Sequence, residues 1–81
     1  MQYFYVYILQ GESDAGRFYV GLTDNLRVRL KKHNKGDVPH TSKFRPWKIR
    51  IAIAFTDRER ASRFESYLKT ASGRAFTKKR L

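Results

Sequence analysis

Five polar side chains in an 81-residue chain stand where a plain scaffold would not put them: Tyr7, Tyr19, Arg29, His33 and Glu65. Tyr7 and Tyr19 fall on one face of a hairpin if the β-rich segments that carry them pair. Arg29 and His33 lie one turn apart beside the apolar stripe of a helix. Glu65 is the one acid near the inner face of a second helix, next to Phe64 and one turn from Ala61. Brought together, such a set suits phosphoryl chemistry. A hard divalent cation needs an oxygen ligand, a pentavalent phosphorus needs a cation against its growing charge, and an attacking water needs a proton acceptor. Taken singly, each residue has a plainer account. The tyrosines can be amphipathic strand residues with wet hydroxyls, and Arg29 is one of 18 Lys and Arg. Glu65 has Lys69 four residues on, the favourable sense for a surface pair, and His33 near a helix end complements its dipole. Only their joint placement points to chemistry.

Tyr3 to Leu9 is dense in β-formers and reads as a strand, with Tyr3, Tyr5 and Tyr7 on one face and Phe4, Val6 and Ile8 on the other. A turn over Gly11–Gly16 leads to a second strand, Arg17–Leu22, in which Phe18, Val20 and Leu22 share a face opposite Tyr19 and Gly21. Thr23-Asp24-Asn25 offers N-caps for a helix from about Asn25 to Asn34, with Leu26, Leu30 and His33 inward and Gly36 as its stop. Gly36–Pro46 has no apolar period and reads as a basic loop. Trp47–Phe55 is a third strand with Ile49, Ile51, Ile53 and Phe55 on one face, and Ala52 and Ala54 on the other, where a helix can pack closely. Thr56 and Glu59 fit a capping box for a helix that turns Ala61, Phe64, Leu68 and Ala71 inward and ends near Ser72-Gly73. The basic tail from Arg74 reads as one or two more turns with Phe76 tucked in. The order, β-β-α-β-α plus a short C-terminal helix, describes one α/β (α+β) domain over residues 1–81, a three-stranded antiparallel sheet flanked by helices.

The chain carries 18 Lys and Arg against 7 Asp and Glu, a formal charge of +11, and no cysteine. Disulfides, thiolate metal sites and a cysteine nucleophile are thereby excluded. All 18 bases lie beyond residue 16, with five of the seven acids, so the excess falls on the body of the fold. A polyanion, nucleic acid or an anionic membrane surface, is the partner such a field attracts. The longest apolar run, Tyr3–Leu9, is far short of the roughly 20 residues that span a bilayer. No basic stretch precedes it, as a secretory signal requires, so the expected place is the cytoplasm. The bases expected to meet nucleic acid are Lys31, Lys32, Lys35, Lys43, Arg45 and Lys48, with Arg74, Lys78, Lys79 and Arg80 of the tail. Trp47 or Phe44 is a candidate to stack on an unpaired base.

Tyr5-Val6-Tyr7, a loop, then Tyr19-Val20-Gly21 resembles the paired motif of the GIY-YIG nuclease superfamily. The match runs on through Leu22-Thr23-Asp24-Asn25-Leu26-Arg27-Val28-Arg29, where Arg29 falls at the family's essential arginine, ten residues after Tyr19. His33 matches a site the family fills with His or Tyr, and Glu65 lies on the helix where the family carries its metal-binding glutamate. The chain looks like the small stand-alone bacterial members of the superfamily, relatives of the N-terminal nuclease domain of the excinuclease that acts in DNA repair. It departs in having Tyr5 for the first motif's glycine, and in showing no second DNA-binding domain. The resemblance implies a divalent-metal-dependent endonuclease acting on DNA rather than RNA, directed by structure rather than sequence, in repair or recombination. It implies Mg²⁺ or Mn²⁺ on Glu65, charge neutralisation by Arg29, and a base among Tyr7, Tyr19 and His33, the three left open. A protein partner in a repair complex fits the same picture. The alternative is a non-catalytic nucleic-acid-binding or accessory module with the same fold.

Overall fold

The computed structural model describes residues 2–81. Its elements are β1 (Phe4–Gly11), β2 (Phe18–Thr23), α1 (Leu26–Lys35), a single 3₁₀ turn at Ser42–Phe44, β3 (Trp47–Phe55), α2 (Arg58–Leu68) and α3 (Ala71–Arg80). The strands form one antiparallel sheet in the order β2-β1-β3. β1 takes the centre because it is apolar on both faces: Val6, Tyr7, Ile8 and Leu9 are each 2% exposed or less. On one face Val6 and Ile8 pack with Ala61 and Leu68 of α2 and Phe76 of α3. On the other, Tyr7 and Leu9 pack with Trp47 and with Leu26 and Leu30 of α1. The sheet therefore separates α1 from α2 and α3.

The β1–β3 register runs evenly from Phe4↔Phe55 to Ile8↔Ile51, then shifts so that Leu9 faces Ile49 and Arg50 is left over. Such a bulge breaks the period of two. Ile49 accordingly joins Tyr7, Leu9 and Trp47, while Ile51 and Phe55 pack with Val6 and Ile8, so the expected single face of Ile49, Ile51, Ile53 and Phe55 is divided. Ala52 and Ala54, expected beneath a helix, are exposed. The ten residues of α1 reach only about 15 Å, and its leucines sit at the Trp47 end of the sheet.

Helix α1 begins and ends as its sequence indicates. The Asn25 side chain accepts from the Val28 N–H, and Gly36, at φ +87°, returns its N–H to the His33 carbonyl. At α2 the cap is Asp57, whose carboxylate accepts from the Glu59 N–H, in place of the expected Thr56–Glu59 box; an anion at a helix N-terminus is favoured by the dipole. Helix α2 then stops at Leu68 rather than near Ser72-Gly73. The Thr70 hydroxyl donates to the Tyr67 carbonyl (2.6 Å) and accepts from the Gly73 N–H (3.0 Å), competing with helix continuation and capping α3 instead. Ala71 thus opens α3, and the tail is a full ten-residue helix. Among the described residues no helix is long and apolar enough to cross a membrane.

Gly73 is a point of close approach, not a stop: a Cβ there would overlap the Tyr67 carbonyl and Leu68 Cα. Alanine would gain about 1 kcal/mol in helix propensity, but its methyl meets backbone, and overpacking costs about 1–3 kcal/mol. Gly73→Ala is expected to lower the unfolding free energy in urea by about 1 kcal/mol, the difference of these two effects. A rise in stability would mean that α3 slides freely on α2.

Candidate active site

Tyr7 and Gly21 are direct partners across β1 and β2. The Tyr7 ring lies over Gly21, where a Cβ would overlap its hydroxyl and Cζ. The glycine of the Tyr19-Val20-Gly21 segment is therefore a steric requirement of the tyrosine that faces it from the first motif. Val6 and Val20 of the two motifs point to the opposite, α2 face, and Tyr5, paired with Thr23, is half-buried one step up the Tyr7 face. Tyr19 is on that face too, its ring centroid 6.5 Å from Tyr7 and 5.0 Å from His33.

His33 is wholly buried. Its Nε2 lies 2.9 Å from the Tyr7 hydroxyl and its Nδ1 2.7 Å from Thr41 Oγ1. The Tyr7 oxygen accepts from Arg29 Nε at 3.2 Å, and Thr41 Oγ1 donates to the Val38 carbonyl at 3.3 Å. Arginine can only donate, so the buried phenol's own proton finds its acceptor at His33 Nε2. Nδ1 then carries the imidazole proton and gives it to Thr41. One tautomer satisfies every group in the line Arg29–Tyr7–His33–Thr41–Val38, and no buried side-chain polar atom among the described residues is left unpaired. His33 is neutral: burial first, then the Arg29 charge, lowers its pKa to about 4. That displaces the reading of His33 as a dipole-complementing cation. Burial also raises the Tyr7 pKa, outweighing the hydrogen bond and charge of Arg29 that pull it down. Arg29 does pull this phenol down, but desolvation exceeds the cation's effect. Arg29, held charged chiefly by its bond to Tyr7, also feels Tyr19.

Glu65 comes from the α2 side. Its side chain is 20% exposed, bonds Lys69 Nζ at 3.2 Å, and its charge acts on Tyr7. Among the described residues no group of three or more His, Asp or Glu could hold a metal ion. An all-protein cage is therefore ruled out among them, whereas a lone carboxylate suits Mg²⁺, which keeps several waters and borrows substrate phosphate oxygens.

The ten bases expected to meet nucleic acid are all exposed. They divide into two groups: Lys31, Lys32, Lys35, Lys43, Arg45 and Lys48 on α1, its loop and the start of β3, and Arg74, Lys78, Lys79 and Arg80 on α3. Trp47 is not a free stacking surface. It is 3% exposed, its indole donates to the Thr41 carbonyl, and Asn34 brackets its backbone N–H and C=O. The Phe44 ring is covered by the Arg17 guanidinium at 3.7 Å. Thr41 and Asn34 are the residues that sequence reasoning missed. Thr41 sits in no periodic segment, Asn34 falls at the end of one, and no local pattern ties a loop threonine to a histidine eight residues earlier.

Thr41→Val would leave the buried Nδ1–H without an acceptor, at about 1–3 kcal/mol. Its expected signature is a changed His33 tautomer by ¹⁵N NMR, restored by Thr41→Ser; an unchanged tautomer would break the hydrogen-bond assignment. His33 also sets an acid limit. Between pH 6.5 and about 4 the unfolded chain binds a proton that the folded one does not, so stability falls as pH drops through that window. The loss should total about 3 kcal/mol, read as the difference in urea stability between pH 7 and 4 for wild type and for His33→Gln, which should lack this component.

A family model for the GIY-YIG catalytic domain matches residues 3–80. The chain is similar to a UPF0213 protein of Bacillus halodurans whose structure was solved in solution by NMR, with 33% identity, coverage of 96% of this chain and 81% of that one, and a TM-score of 0.56. Among curated proteins none matches. The family match spans nearly the whole chain, and the fold it describes is the one that sets Tyr7 over Gly21 beside Tyr19, Arg29 and His33: the chain belongs to the GIY-YIG family.

Proposed function

We propose that the protein is a divalent-metal-dependent endonuclease that hydrolyses phosphodiester bonds in DNA, directed by DNA structure rather than sequence, in repair or recombination. The family has a nuclease-type fold, and its nucleases generally use divalent metals. The observation that carries the reading is the Arg29–Tyr7–His33 line, closed behind His33 by Thr41, with the Tyr19 ring beside both Tyr7 and His33. Arg29 commits Nε to Tyr7, and among the described residues no carboxylate pairs with its terminal nitrogens. They can meet two non-bridging phosphate oxygens, a geometry guanidinium favours.

Of the three candidate bases, Tyr7 and His33 are buried and bonded to each other, whereas Tyr19 is half-buried and keeps access to solvent. Tyr19 is the group that takes the proton of the attacking water. The water oxygen bonds to phosphorus while the bond to the leaving 3′ oxygen breaks. Tyr7 and His33 hold Arg29 in register, so their effect is on position. Glu65 would hold Mg²⁺ or Mn²⁺, which when bound supplies Lewis-acid charge stabilisation for the leaving oxygen. Affinity comes from the exposed bases, on a partner whose phosphates match a +11 chain.

The test is nicking of plasmid, flap and branched DNA with Mg²⁺, Mn²⁺ or EDTA. Cleavage should need metal and be lost in Glu65→Gln, and Tyr19→Phe should fall about 10²–10⁴-fold, the usual worth of a general base. DNA binding should survive in both. If the protein binds DNA but cuts none of these with any metal, it is a binding or accessory module. Lys69 on the Glu65 carboxylate is the observation that would then make sense.

A further inference from the structure

A cleft of about 750 Å³ opens on the sheet face away from His33, between β2 and α3. That is within the usual range for ligand sites. Its floor is apolar, built from Ile8, Val20 and Leu68. Its rim is cationic, with Lys69 from the α2–α3 connection, Arg74 and Lys78 on one face of α3, and Arg50 from the bulge in β3. No Asp or Glu lines it. At the edge stands Phe18, which at 51% exposure is the most exposed large apolar side chain among the described residues, with the Arg50 guanidinium 5.7 Å from its ring.

We propose that this cleft binds an unpaired DNA strand, the Phe18 ring stacking on a base and Arg50, Arg74 and Lys78 neutralising its phosphates. An apolar floor and a bare aromatic edge favour a base over the sugar–phosphate ridge of a duplex, whose bases are already stacked. Cations spaced along a groove without acids fit a polyanion and repel a basic partner. An aromatic ring with a positively charged track is the general solution for sequence-tolerant single-strand binding. The cleft also communicates with the candidate active site through two residues. Tyr19 lines it and packs edge-on against His33, and Lys69 lines it and bonds Glu65. A strand lying in it arrives beside Tyr19, so the junction between paired and unpaired DNA falls where cleavage is proposed. The bulge gains a purpose in this arrangement, since the residue left over by the register shift is the one that contributes Arg50 to the rim.

The proposal rests on the preceding reading only in taking DNA as the ligand, and it is tested without cleavage. Fluorescence anisotropy with labelled oligothymidylate and with a blunt duplex, in EDTA, compares wild type, Phe18→Ala and the double variant Arg74→Gln with Lys78→Gln. Phe18 is exposed, so its loss should leave folding intact, as circular dichroism would verify. Phe18→Ala should weaken single-strand binding about tenfold, within the range for one lost base stack, with duplex affinity changed less than about twofold. The double variant should reduce the salt slope for the single strand by about 1.4, two contacts at about 0.7 each. Equal weakening for both DNAs, or no effect of Phe18→Ala, overturns the cleft. If the protein never cuts DNA yet these shifts occur, the cleft stands and the nuclease reading fails. If it cuts while the variants bind as wild type does, only the cleft fails.

Discussion

The hydrogen bond between Tyr7 and His33, 2.9 Å long between two side chains with 1% exposure or less, constrains most of what surrounds it. A phenol and an imidazole enclosed in an apolar cluster with Leu9, Trp47 and Leu26 must each find every partner they need, because an unsatisfied buried donor or acceptor costs about 1–3 kcal/mol. Tyr7 needs room to reach the histidine, which is why its cross-strand neighbour is Gly21. His33 needs an acceptor behind it, which draws Thr41 inward and with it the loop between α1 and β3. That loop is in turn tied down by the Trp47 indole on the Thr41 carbonyl and by Asn34 on the Trp47 backbone.

The same bond sets the electrostatics of the centre. Arg29 beside a neutral imidazole keeps one unopposed positive charge at the edge of the sheet, since His33 does not gain a second until about pH 4. Burial that makes Tyr7 a poor acid also makes it a dependable hydrogen-bond partner, so the guanidinium is aimed by a group that stays protonated. The opposite face is organised differently, around Val6, Ile8, Ala61 and Leu68, and carries the closely packed α2 and α3. The central strand thus holds the hydrogen-bonded polar line on one side and a plain apolar core on the other.

Much of this was legible in the residues in order. The three strands, the polar face shared by Tyr7 and Tyr19, and α1 with its Asn25 and Gly36 ends follow from period and cap chemistry, which act between neighbours in the chain. So does the placement of Phe76 against the core. The failures are equally specific. A run of Ile49, Ile51, Ile53 and Phe55 obeys perfect alternation, yet the register of β1 skips Arg50 and sends Ile49 to the other face. Gly73 has the residue type of a helix stop, but it serves as the contact point between two helices, and Thr70 ends α2 three residues earlier.

The amino-acid order by itself determined the element types and their order, the +11 charge and the two tyrosine motifs, because backbone preference, side-chain alternation and net charge belong to local stretches of chain or to their sum. Only the tertiary structure decided that His33 is neutral, that Thr41 fixes its tautomer, that Trp47 is packed away, and that Arg74 and Lys78 of α3 border a cleft reaching Tyr19. Those properties depend on exclusion of water and on partners brought together from distant parts of the chain, and burial has no value until the chain has folded around the group.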